Sequence, residues 1–184
     1  MSRFSDYLKS LGACRGAVAW SAQFRGAQAA WEACDRGDWM LWLLARRMGD
    51  IRGEKHRRLV KLACACVRLA LNREADGQGG IGMILQAVEG WADGRLDGTD
   101  LVVCRTLPSA LHTLTWTPFI PDPADQAACV ADVASSAAHA RAYAACGARA
   151  TNRVAFVHEQ ARTLRRMADL IRQQVPDIRR WRAR

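Results

Sequence analysis

Glu54-Lys55-His56-Arg57-Arg58-Leu59-Val60-Lys61-Leu62-Ala63-Cys64-Ala65-Cys66-Val67-Arg68-Leu69-Ala70-Leu71-Asn72 is the stretch that decides the fold. Leu59, Leu62, Ala63, Cys66, Leu69 and Ala70 recur at the i, i+3, i+4 spacing of one helix face. Lys55, Arg57, Arg58, Lys61 and Arg68 fall largely off that stripe. An apolar stripe beside a cationic face is the pattern of a helix packed on one side and wet on the other.

Upstream, residues 3–20 form one or two short helices, broken near Leu11-Gly12. Residues 26–36 form another, with Ala30, Trp31 and Cys34 on one face. Gly37 then fits the left-handed position that ends a helix, and Asp38 fits an N-cap for the next. Arg36-Gly37-Asp38 also spells a cell-adhesion tripeptide, but the capping account covers all three residues without secretion. Residues 39–48 carry Trp39, Leu41, Trp42, Leu43 and Leu44, apolar nearly all round, so this helix belongs at the centre of the core. Trp31, Trp39, Trp42 and Trp91 are assigned to the core on the same grounds.

Downstream, residues 73–80 are a Gly-rich connector, residues 81–92 a helix with Ile81, Ile84, Leu85, Val88 and Trp91 inward, and residues 93–98 a turn. Residues 99–123 are read as loop with short helical pieces, because Pro118, Pro121 and Pro123 forbid a continuous helix. An alanine-rich helix follows over about residues 124–148. Its side chains reach so little that it needs close neighbours on more than one side. Residues 152–174 form the last long helix, with Val154, Val157, Ala161, Leu164, Ala168 and Ile171 on one face, ended by Pro176. The fold class is therefore all-α, a single-domain bundle of about six to eight helices over residues 1–176. Residues 177–184 are a basic tail, expected to fray.

Composition agrees with that reading. The 184 residues are 50% hydrophobic and 24% charged, enough for a core without metal or disulfide staples. No apolar run is long enough to span a membrane, and Met1-Ser2-Arg3-Phe4-Ser5-Asp6 lacks the apolar stretch of a signal peptide. Cytoplasmic residence is expected. The seven cysteines are an odd count in a long chain without an export signal, so they read as small buried residues rather than as a disulfide framework.

The net charge of +9 is unevenly placed. Residues 46–73 hold nine basic and two acidic residues, residues 149–184 ten and three, and residues 74–148 three and nine. An acidic partner, protein or nucleic acid, is steered to the two basic zones. The candidate contact residues are Lys55, Arg57, Arg58 and Lys61 on the basic helix, with Arg165, Arg166, Arg172, Arg179 and Arg180 toward the C-terminus. Trp181 is available to stack on a base.

No catalytic or metal motif stands out, and no cofactor is called for. Cys64 and Cys66, two apart on a helix, point about 200° from one another and cannot easily share a metal ion. His56, His112, His139 and His158 lie outside any recognisable catalytic pattern. Gly77-Gln78-Gly79-Gly80 lacks the strand and the Lys-Ser/Thr ending of a phosphate loop.

The tryptophan region is more specific. Ala13-Cys14, Ala17 and Trp20 precede Ala30-Trp31, Cys34 and Arg36-Gly37-Asp38-Trp39-Met40-Leu41-Trp42-Leu43. Further along come Ala63-Cys64-Ala65-Cys66 with Arg68, then Ala87, Glu89 and Trp91 with Gly94. The alanine-rich helix follows, and then Ala168-Asp169, Ile171-Arg172 and Pro176. This pattern resembles the immunity-five-like family of immunity proteins, found in bacteria and in phage genomes, over most of the chain. The stretch Leu101 to Pro123 departs from it.

The resemblance implies a protein that binds and neutralises a toxin or, if phage-borne, antagonises a host defence complex in the manner of an anti-CRISPR. It supplies no catalytic residues. A nucleic-acid-associated protein using residues 54–73 and the C-terminal arginines is the alternative. An enzyme with a site assembled from scattered side chains is a further one.

Overall fold

Gly37 shows how closely the central helices meet: a Cβ built on it falls 2.6 Å from the Met167 Cβ and 3.0 Å from the Leu164 carbonyl oxygen. The computed structural model describes residues 3–48, 53–71, 80–96, 123–146 and 153–181. Among them are eight α-helices, one 3-10 turn and no strand. The helices are α1 (Arg3–Ser10), α2 (Arg15–Ser21), α3 (Ala27–Ala33), α4 (Gly37–Arg46), α5 (Glu54–Ala70), α6 (Gly80–Ala92), α7 (Pro123–Cys146) and α8 (Arg153–Gln174). The 3-10 turn is Ile178–Arg180. The connector 73–79 and the stretch 99–122 lie outside the described residues.

Helix α4 packs on α5, α7 and α8, and these four form the centre. Leu41, Leu44 and Ala45 of α4 are fully buried, and so are Leu59, Val60, Cys64 and Cys66 of α5. Because α5 meets α4, α6, α7 and α8, it buries Val60, Cys64 and Val67 beyond the single stripe that its sequence suggests. On α7, Val130, Ala134, Ala138 and Ala142 make a buried row at four-residue spacing. Methyl side chains on that row let α4 and α8 come close, and close approach is what makes so small a side chain worth burying.

Two helices end on glycines that need the left-handed conformation. Gly12 (φ 82°) follows α1 and Gly94 (φ 74°) follows α6. In each case the next amide reaches back over a turn, Ala13 to the Leu8 carbonyl at 3.0 Å and Arg95 to the Gly90 carbonyl at 2.8 Å. The breaks expected near Gly12 and Gly94 are where these turns occur.

Gly37 and Asp38 differ from expectation. Gly37 is the first residue of α4, not a left-handed terminator, and extended Arg36 occupies the cap position. Glycine is required there for proximity to α8. Asp38 lies inside the first turn, where its carboxylate takes two hydrogen bonds from Arg36, at 2.9 and 2.6 Å. The Asp38 side chain is only 8% exposed, so neither the N-cap role nor an adhesion tripeptide describes this corner.

Helix α8 divides in two. Leu164, Met167, Ala168 and Ile171 are buried, whereas Val154 and Val157, expected on the same buried face, are 66% and 53% exposed. In its first turns α8 meets α7, where Phe156 stacks edge-on against His139 at 4.8 Å and Glu159 pairs with Arg141 at 3.6 Å.

The C-terminal stretch is not frayed through Trp181. Val175, Ile178 and Trp181 are all buried. The Trp181 indole donates to the Leu44 carbonyl at 2.9 Å, and Arg47 Nε donates to the Trp181 carbonyl at 3.1 Å. An apolar pair spaced by three, Ile178 and Trp181, on a 3-10 turn faces one way and drives the tail into the core.

Candidate functional site

Most of the cations expected to contact a partner are held by the protein itself. Lys61 pairs with Asp93, and Arg57 lies 6.0 Å from the Trp91 ring centroid. Arg58 lies 5.3 Å from the Trp181 ring and donates to the Gln174 carbonyl. Arg165 pairs with Asp35 at 3.4 Å. Arg172 donates to the carbonyls of Trp31 and Cys34 and to Asp169. Arg179 and Arg180 share Asp177, at 2.9 and 3.6 Å. Lys55 is half-buried, and Arg166 is exposed on α8. Arg58, Arg179 and Arg180 come together at the C-terminal turn, while Arg57 and Lys61 face the end of α6.

A concave site lies elsewhere. Between α1, α2, α3, α4 and α7 is a recess of about 330 Å³, walled by Phe4, Leu8, Ala17, Trp20, Trp31, Trp39, Met40, Trp42 and Leu43. Trp31 is buried, but Trp20, Trp39 and Trp42 are half-buried. Those last two, assigned to the core from sequence, instead border the cavity, as core-packed rings with one side on the recess. Trp91 too is half-buried. Trp20 meets Trp39 edge-on at 6.0 Å and lies against Phe24 at 4.6 Å. The Arg36 guanidinium sits 4.5 Å from the Trp39 ring centroid.

Local sequence explains the wall. Cys14 is extended and caps α2, its sulfur accepting from the Ala17 amide at 3.5 Å. That turn places the face bearing Ala17 toward α4. Gly16 of α2 lies against the Trp39 ring, where an added Cβ would make an ordinary contact at 3.6 Å. On the opposite side α7 contributes Ala131 and Asp132. Asp132 is exposed and is the one charged side chain among the described lining residues. Among the described residues it has no hydrogen bond or ion pair.

The two cysteines at the recess differ. Cys14 is exposed, while Cys34 is buried. Burial pushes the Cys34 thiol up to about 11, and it stays a neutral donor, 3.6 Å from the Arg36 carbonyl. Burial likewise pushes Cys64 and Cys66 up to about 12. Among the described residues no three His, Cys, Asp or Glu side chains converge as metal ligands do. His56, 1% exposed, is packed edge-on against Trp91 at 5.4 Å, in the core between α5 and α6. No described helix is long and apolar enough to cross a membrane.

No family model matches the chain, and no curated protein or solved structure matches it.

Proposed function

We propose that the chain is a protein-binding inhibitor of the immunity type. It acts in the cytoplasm, where it neutralises a toxin or, if phage-borne, antagonises a host defence complex by direct binding. The observation that carries this reading is the tryptophan-walled recess. Large rings that are only half-buried around a cavity are suited to receive an apolar side chain from a partner, as the anchoring centre of an interface does. Charged groups flank it: Asp132 in the lining, and Arg36, paired with Asp38, against the Trp39 ring. Such a rim gives orientation and rate more than raw affinity. The resemblance of the tryptophan segment to the immunity-five-like proteins points the same way.

The test is affinity capture of the tagged protein from host lysate, with nuclease treatment and a high-salt wash. It is run beside Ala13→Trp, which puts a ring at a half-buried lining position of the recess. The expected result is one stoichiometric protein retained by the parent and lost by Ala13→Trp at unchanged Tm. Equal capture by both would remove the recess from the interface. Recovery of nucleic acid alone, released by salt, favours the alternative built on residues 54–73 and the C-terminal arginines.

A further inference from the structure

We propose that the recess selects an apolar side chain carried beside a positive charge, a Lys or Arg next to an aromatic or aliphatic residue on the partner protein. This rests on the recess as the partner contact and adds the chemistry of what enters it. Two observations support it.

The wall includes four indole rings, Trp20, Trp31, Trp39 and Trp42, and indole faces are electron-rich and attract cations. The protein already uses that property at the recess, where the Arg36 guanidinium lies 4.5 Å from the Trp39 centroid. It uses the same pairing at Tyr7, Trp91 and Trp181.

Asp132 supplies the counter-charge. Its carboxylate lines the recess, is exposed, and has no ion-pair partner among the described residues. Arg36, the cation resting on the wall, does not neutralise it, because Arg36 is bound through two nitrogens to Asp38. An entering ammonium or guanidinium therefore meets a carboxylate that no described residue pairs with.

The preference runs against the overall field of the molecule. A net charge of +9 favours anions at long range. At physiological ionic strength that field is screened beyond about 8 Å, while a contact pair at the recess mouth persists. A measured preference for a cation thus reports the local site.

The experiment titrates the full chain with two probes of equal apolar body and opposite charge, 3-phenylpropylammonium and 4-phenylbutyrate, followed by tryptophan fluorescence at 0.15 M salt. The ammonium is expected to bind about two- to fivefold tighter, the range of one exposed charge pair. Asp132→Asn is expected to abolish that difference, and Ala13→Trp to block both probes. Equal binding of the two probes, tighter binding of the carboxylate, or an ammonium preference that survives Asp132→Asn each overturns the proposal.

Failure of the underlying reading looks different. Partner capture lost in Ala13→Trp but undiminished in Asp132→Asn keeps the recess as the interface and rejects the cationic ligand. Partner capture indifferent to both variants rejects the interface itself.

Discussion

Two groups of tryptophans divide the molecule. At the C-terminal seam Trp31 and Trp181 are 3% and 4% exposed, and each indole N–H donates to a main-chain carbonyl, Val175 at 2.8 Å and Leu44 at 2.9 Å. Around the recess Trp20, Trp39 and Trp42 are half-buried, and among the described residues their indole nitrogens have no protein acceptor. A buried indole must have its donor satisfied or it destabilises the fold. A half-buried one can leave its donor to water. The first arrangement belongs to a ring that holds elements together; the second keeps a ring available to a ligand.

That contrast is strongest at Trp181. Trp181→Ala is expected to destabilise by about 3–5 kcal/mol through a cavity at the seam, along with loss of the Leu44 hydrogen bond and of the Arg58 contact. Thermal or urea unfolding measures it. A loss below that of Trp39→Ala would dissolve the distinction between the two groups.

Gly37→Ala probes the same seam through the backbone. The added methyl would meet the Met167 Cβ at 2.6 Å and the backbone of α8 near 3 Å. Neither can rotate away, so α4 and α8 must separate, with a cost of about 1–3 kcal/mol. Unchanged stability would mean that α8 slides freely at this crossing.

Trp39→Ala should destabilise less, by roughly 1–2 kcal/mol, since only part of the ring leaves water on folding. Its larger effect is expected on partner capture. A variant that unfolds as Trp181→Ala does, yet binds normally, would place Trp39 with the seam and not with the recess.

The smallest effect concerns acid. A hydrogen bond from Arg179 holds the Asp177 carboxyl below its ordinary value. A folded value lower than the unfolded one contributes stability at pH above about 4, and that contribution is lost as pH falls through the folded value. Asp177 is half-buried, but its partners Arg179 and Arg180 are exposed, so the change is modest and salt-sensitive. Tm measured from pH 5 down to pH 2 should fall less steeply in Asp177→Asn than in the parent. Parallel profiles would show that the turn is seated by Ile178 and Trp181 alone.

Helical class, the position of α4 at the centre and the tight packing of α7 were legible because they follow from repeating patterns. Leu59, Leu62 and Ala63 report a stripe, and Ala134, Ala138 and Ala142 report a small-residue row. The recess was not legible. Its residues come from α1, α2, α3, α4 and α7, and nothing in the spacing of Trp39 and Trp42 distinguishes a ring covered on all sides from one bordering a cavity. Asp132, in an alanine-rich helix, carries no motif. The basic residues were identifiable as cations, but their internal partners, Asp35 for Arg165 and Asp93 for Lys61, lie on other elements.

Local rules acting on the amino-acid sequence suffice for the helices, their glycine-ended turns at Gly12 and Gly94, and their amphipathic faces, since each depends on residues within a turn or two. Tertiary packing decided the remainder. It turned Gly37 from an apparent helix terminator into a contact point, and Asp38 from a cap into the partner of Arg36. It also drew the C-terminal turn into the core. The physical reason is common to all three: burial and pairing depend on which distant surfaces arrive beside a residue. Met167 reaches Gly37 and Leu44 reaches Trp181 only after the bundle has closed.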